Sequence, residues 1–268
     1  MPLTRVRDLD VHYEISGPAG VDADTVLLVH GLGSSTEDWA PQVEALSQQF
    51  RVVTYDVRGH GQTSKPNGSY SVPQFAEDAA ALIVQLGLGT VHVVGLSMGG
   101  MIGFQLAADR PDLVRSLVIV NSGPEMIPRT RKEKLAIAQR RLIIRVMGMR
   151  AWGKMLAERL LPNAEHAAMR EAFATRWARN DRSAYLRALS ALVGWTVTER
   201  LPGITCPVLV VTADQDYTPV PWKAWYTALM PHASLAVIAN SRHMMPIERP
   251  AEFHEVLVPF LTQREGAQ

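Results

Sequence analysis

The sequence predicts an α/β fold: a mostly parallel central sheet flanked by helices, with a helical insertion over one end of the sheet. Three observations predict it. Short apolar, β-branched runs recur along the chain, helical segments lie between most of them, and the alternation gives way to helix alone from about Pro124 to Arg200. Continuous rather than alternating apolar runs mark strands buried on both faces, as in parallel sheets. Strand–helix alternation implies a doubly wound sheet.

Arg5-Val6-Arg7 and Val11-His12-Tyr13-Glu14-Ile15 flank Asp8-Leu9-Asp10, which predicts an opening hairpin. The buried strands are Val26–Val29, Val52–Tyr55, Val91–Val94, Leu117–Val120, Val208–Val211 and Leu235–Ile238. Helices are expected over Trp39–Gln49, Val72–Leu86 and Met98–Ala108, the last ending before Arg110-Pro111, where proline disfavours helix. In the insertion, Leu135, Ala138, Leu142, Ile143 and Val146 recur at helical spacing, and Pro128, Pro162 and Pro202 punctuate the region. The division is therefore a core of residues 1–123 and 201–268 and an insertion of residues 124–200. Arg264-Glu265-Gly266-Ala267-Gln268 should fray.

A chain of 268 residues, 47% hydrophobic, suits one large domain with an insertion and is too apolar for disorder. A net charge of +1 argues against nucleic acid as the main partner. That total hides an asymmetry. Residues 124–200 hold 16 Lys+Arg and 7 Asp+Glu, a charge of +9, which leaves −8 on the remainder. The single cysteine, Cys206, excludes an intramolecular disulfide and fits a small apolar role. Met1–Asp8 has no apolar signal region, and no apolar stretch approaches the ~18 residues that span a bilayer. A cytoplasmic protein with no membrane partner is expected.

Gly95-Leu96-Ser97-Met98-Gly99-Gly100 follows one strand and precedes a helix, which is G-x-S-x-G in the strand–turn–helix context that gives it meaning. So sharp a turn strains the serine backbone, and glycines at 95 and 99 remove the Cβ atoms that would collide. The Ser97 Oγ then stands at a helix N-terminus, with the Met98 N–H beside it. A serine hydroxyl is a poor nucleophile near neutrality. It needs a neutral imidazole, which in turn needs a carboxylate to fix its tautomer.

After such a turn the partners follow in the order Ser, Asp/Glu, His, on loops at the strand ends. His92 lies inside a strand, His12 in the hairpin, His166 in the insertion and His254 on a C-terminal helix. His232 sits at the wrong sheet end, and His30 and His60 precede the serine. His243, just after the last strand, meets both criteria. For the acid, Asp214 and Asp216 both follow Val208–Val211; a turn from Asp216 to Pro219 favours Asp216, with Asp214 the alternative. The loop His30-Gly31-Leu32-Gly33 supplies a second oxyanion donor, assigned to the Leu32 N–H beside that of Met98, with His30 bracing the loop. Asp56-Val57-Arg58-Gly59-His60-Gly61 lacks the G-K-[ST] and G-x-G-x-x-G signatures of nucleotide loops and reads as a supporting turn.

With these four motifs in order, and the tail Arg242-His243 through Glu248-Arg249-Pro250, the sequence resembles the α/β-hydrolase superfamily over essentially its whole length. It looks most like bacterial carboxylesterases and 3-oxoadipate enol-lactonases, which share a G-x-S-M-G-G elbow and a helical cap. The resemblance implies hydrolysis of a carboxylic ester or lactone through an acyl-enzyme, with no cofactor or metal. Ser97 stands where dehalogenases and epoxide hydrolases carry aspartate, which argues against those reactions. Cofactor-free C–C bond hydrolysis of the meta-cleavage-product type, acyl transfer to another nucleophile (perhydrolysis included) and a ligand-receptor role are the alternatives. The cap should cover the pocket, with Met126, Trp152 and Trp195 as substrate-binding candidates among Ile127, Met147, Met149, Trp177 and Leu192; packing of cap on sheet is their other reading. A cap of +9 suits an anionic small-molecule substrate, or else solvated helix faces against the acidic remainder.

Overall fold

The computed structural model describes residues 2–18 and 23–263, so the expectation for Arg264–Gln268 lies outside the described residues. The described strands are β1 (Leu3–Val6), β2 (Leu9–Ser16), β3 (Thr25–Val29), β4 (Arg51–Tyr55), β5 (Val91–Leu96), β6 (Val114–Val120), β7 (Val208–Ala213) and β8 (Ala233–Ile238). They form one sheet in the order β1-β2-β4-β3-β5-β6-β7-β8. β1 and β2 pair antiparallel, β2 joins β4 antiparallel, and every later pairing is parallel.

Successive residues of the inner strands feed opposite cores, as a period of two requires. Leu27, Val93, Leu117, Ile119, Val208 and Val210 join one cluster, and Val26, Leu28, Val94, Val118, Val120 and Val211 the other. The first cluster is covered by α2 (Val72–Gln85), α3 (Met98–Asp109) and α7 (Val220–Thr227), and the second by α1 (Ala40–Leu46) and α9 (Pro250–Thr262), reached through the short α8 (Met245–Glu248). α2 starts where Ser71 Oγ accepts the Gln74 N–H at 3.2 Å, with Pro73 in the first turn. α3 stops at Asp109 before Pro111.

Two expectations need correction. The hairpin turn is shorter than Asp8-Leu9-Asp10, because Val6 pairs Leu9 across Arg7 and Asp8 alone, Arg7 taking φ 55°. β8 is not buried on both faces; it is the sheet edge, and Val237 is 47% exposed.

Between β6 and β7 the chain inserts α4 (Arg131–Leu160), α5 (Ala167–Ala178) and α6 (Arg182–Leu192). Thr130 and Glu133 cap α4 reciprocally, and Gly148, at φ 79° and ψ 178°, breaks it. The segment is not helix alone. At its neck Glu125 and Thr196 form an antiparallel bridge, and Met126 N–H donates to Trp195 O, Gly194 N–H to Met126 O and Val197 N–H to Pro124 O. The inserted helices rest on the loop after β3. Arg176 meets Asp38 at 2.6 Å and Asn180 Nδ2 donates to Gly33 O at 2.8 Å.

Candidate active site

Ser97 stands between β5 and α3 with φ 55° and ψ −114°, a conformation that costs a non-glycine residue on the order of 1–3 kcal/mol. Its neighbours enforce it. A Cβ on Gly95 would lie 2.3 Å from Gly99 O, and one on Gly99 would lie 2.0 Å from Val29 O. Ser97 N–H donates to Val120 O at 2.9 Å, and Ser122 Oγ donates to Ser97 O at 2.6 Å. The elbow is thus pinned to β6 as well as wedged against β3.

The loop after β3 is braced from behind. His30, fully buried, donates from Nδ1 to Gly31 O at 2.8 Å and accepts the Val57 N–H on Nε2 at 3.0 Å. Burial pushes its pKa below the usual imidazole value, which suits the neutral tautomer these two bonds require. The 56–61 loop is a structural turn. Asp56 accepts the Thr36 and Gln62 amides at 2.9 and 2.8 Å and meets His12 Nδ1 at 3.0 Å. Among the described residues, neither the Leu32 nor the Met98 amide donates to another group of the chain.

Asp216, on the turn between β7 and α7, sets Oδ1 2.6 Å from His243 Nδ1. Its Oδ2 accepts from Thr218 Oγ1 at 3.1 Å and from the Lys223 ammonium. Burial alone would raise the carboxyl's pKa; the hydrogen bonds and charges of His243 and Lys223 outweigh it and hold the group well below the usual carboxylate range. An ionised carboxylate only accepts, so Nδ1 of His243 carries the proton and Nε2 is left as a base. Asp214, the alternative acid, is exposed and accepts the Ser241 N–H at 3.1 Å. It shapes the histidine loop without touching the imidazole.

Asn121, which the sequence reading passed over, ties these parts together. Its Nδ2 donates to Arg242 O and His243 O at 3.1 and 3.0 Å, while Oδ1 accepts the Ala213 N–H at 2.8 Å. Its φ of 44° on the residue after β6 is compatible with asparagine. Tyr217 was also missed; its ring lies over that of His243, centroids 4.3 Å apart.

Ser97, Asp216 and His243 line one cavity of about 420 Å³ between the strand ends and the inserted helices. Leu32, Met126 and Trp152 line it too, as do Trp177 and Leu192. Trp195 does not. Its indole N–H donates to Gln105 Oε1 at 2.8 Å and its ring packs in the core beneath the neck, so the expected substrate contact is corrected. Met149 is buried elsewhere, Met147 is 57% exposed, and Ile127 also lies outside the lining. Among the described residues no cluster of His, Cys, Asp and Glu has the geometry of a metal site, and no helix is long and apolar enough to cross a membrane.

The family model of the alpha/beta hydrolase fold matches residues 24–250. A RutD protein of Stutzerimonas stutzeri, named as a carbamate hydrolase, is 31% identical over 269 residues, covering 96% of this chain and 98% of its own. Its counterpart in Caulobacter vibrioides is 33% identical over 264 residues, covering 96% of each chain. The crystal structure of an enol-lactonase from Burkholderia xenovorans superposes with a TM-score of 0.88 at 28% identity, covering 98% of this chain and 100% of that one.

Proposed function

Since the chain belongs to the alpha/beta hydrolase family and is a hydrolase of that fold, we propose that it cleaves carboxylic esters or lactones through a serine acyl-enzyme. The observation that carries this reading is the Asp216–His243 contact of 2.6 Å in a cavity that also exposes the strained Ser97. Ser97 attacks the substrate carbonyl, and His243 Nε2 takes its proton. Asp216 stabilises the imidazolium, and the Leu32 and Met98 amides, free of internal acceptors, hold the oxyanion. His243 then returns the proton to the leaving oxygen, and a water activated by the same imidazole releases the acyl group. Residues 124–200 act as a cap over the core of residues 1–123 and 201–268, with Met126 and Trp152 against the substrate.

The cavity's charges favour an anionic member of that substrate class. Its lining carboxylates are occupied: Asp38 by Arg176, Glu125 by Arg129 and Asp216 by Lys223. Arg140 and Arg159 line the same cavity and meet no carboxylate among the described residues. Arg140 lies over the rings of Trp152 and Tyr185, and Arg159 over that of Tyr217. Arg140, half-buried and bonded among the described residues only to the Tyr185 hydroxyl, gains more from a carboxylate on the ligand than the exposed Arg159 does. The names of the relatives, carbamate hydrolase and enol-lactonase, share acyl chemistry at a carbonyl with a heteroatom leaving group.

The test is a fluorophosphonate adduct mapped to Ser97, with Ser97→Ala losing at least ~10³-fold in kcat while keeping its circular dichroism. Full activity of that variant defeats the assignment. For the substrate class, the hemisuccinate ester of p-nitrophenol is expected to exceed the acetate in kcat/KM by about tenfold at low salt, with the margin narrowing in 0.5 M NaCl. Equal values at both salt concentrations remove the anion preference.

A further inference from the structure

Lys223 is fully buried, one turn into α7, and its helix Val220–Thr227 carries no other charged residue. Its ammonium donates to Thr212 Oγ1 at 2.6 Å and to Oδ2 of Asp216, the oxygen turned away from His243. We propose that Lys223 is a positioning residue of the hydrolytic site: it anchors Asp216 and offsets the carboxylate charge felt by His243, so that the imidazole remains a free base to lower pH.

A buried ammonium is costly, and an apolar side chain of similar length would fill the same space without the desolvation penalty. Asp216 does not need it to be hydrogen-bonded, since Thr218 and His243 already donate to it. What Lys223 alone adds is a positive charge on the far oxygen. An unneutralised buried carboxylate stabilises the imidazolium, and an imidazolium cannot take a serine proton. With Lys223 the resting trio of ammonium, carboxylate and neutral imidazole sums to zero, and protonating His243 leaves a net positive charge in a partly desolvated site. Burial pulls the Lys223 pKa down, and the hydrogen bond and charge of Asp216 oppose that pull.

The surrounding ionisable groups do not duplicate this role. Tyr217 lies over the imidazole, with Arg159 of α4 over the Tyr217 ring and Arg140 earlier in α4, before its break at Gly148. Tyr226 of α7 donates to Ser122 O, and its pKa is raised by burial and by Asp216. In the histidine loop, Asp214 accepts the Ser241 N–H and Glu248 accepts the Arg242 N–H. None of these groups bonds the Asp216 carboxylate among the described residues.

This inference rests on Ser97 and His243 being nucleophile and base. The experiment is the pH profile of kcat/KM for p-nitrophenyl acetate with wild type, Lys223→Met, Lys223→Gln and Lys223→Arg, each checked for fold by circular dichroism. A unit charge at this range is worth on the order of one pH unit. The acid limb is expected to move up by about one unit in the Met and Gln variants and to return to the wild-type position in the Arg variant. Gln keeps a donor toward Asp216, so it separates charge from hydrogen bonding and serves if the Met variant does not fold. Folded neutral variants that lose activity evenly at every pH, with the acid limb in place, overturn the inference. Lysine-¹⁵N NMR of the wild type needs no substitution: a slowly exchanging buried ammonium at neutral pH supports it, and a neutral amine overturns it. A fully active Ser97→Ala defeats the serine mechanism itself, whereas an inactive Ser97→Ala with an unmoved acid limb in the lysine variants defeats only the role of Lys223.

Discussion

Gly99→Ala tests the claim that the elbow is set by a backbone-to-backbone wedge. The added methyl would stand 2.0 Å from Val29 O and 2.6 Å from Val29 C. An ordinary C···O approach is about 3.3 Å, so α3 and β3 must part by about 1.3 Å. Neither gives easily, because β3 is hydrogen-bonded to β4 and β5 along its whole length. Overpacking against side chains costs about 1–3 kcal/mol. Against a central strand the upper figure applies, about 3 kcal/mol, or a fall of about 6–12 °C in Tm for a chain of this size. The same displacement separates the two elements that carry Met98 and Leu32. A misplacement of about 1 Å near the chemistry costs on the order of 10²-fold in kcat/KM. Gly203→Ala is the control, with no positive φ and nothing within 4 Å of its added methyl. Thermal melts and ester kinetics on both variants decide the matter. A Gly99→Ala protein that melts within 2 °C of wild type and keeps half its activity would refute the wedge.

The remaining expectations concern stability. Arg58 is buried and binds Asp78 at 2.7 and 2.9 Å and Asp8 at 2.6 and 2.9 Å. Arg58→Met strands the buried Asp78 with Arg7 alone, at 3.1 Å, and should cost about 3 kcal/mol in urea unfolding; a loss below 1 kcal/mol would count against it. Burial, chiefly, pushes His60 down to about 3 and His92 to about 4. Below pH 6.5 the unfolded chain binds protons that these folded imidazoles refuse, so stability falls with pH until each folded pKa is passed. Each should contribute roughly 1 kcal/mol per pH unit between pH 6 and 4, and a urea midpoint that stays level from pH 7 to 5 would contradict this.

The inner strands were legible because burial on both faces demands continuous apolar residues, and Val26–Val29 or Val208–Val211 have no other economical use. Edge strand β8 was located but misjudged, since Leu235-Ala236-Val237-Ile238 reads as buried while only Ile238 of the four is. Ser97, Asp216 and His243 could be picked out as candidates from motif and order because each follows a recognisable strand end. The neck was invisible: Glu125 and Thr196 are far apart in sequence and neither lies in an alternating run. Trp195 looked like a lid residue because composition does not say which way an indole faces. Lys223 did leave a trace, a lone charge in Val-Pro-Trp-Lys-Ala-Trp-Tyr, but its meaning depends on Asp216, seven residues earlier, offering a second oxygen.

The neck between Pro124 and Val197 brings the outgoing and returning segments side by side, joined by their own amides and carbonyls. Bonds of that kind are indifferent to side-chain identity. A different set of helices spliced between the same two points would leave β6 and β7 in register beneath it. Pocket shape is therefore an exchangeable part of this molecule, and the rim that carries Ser97, Asp216 and His243 is not.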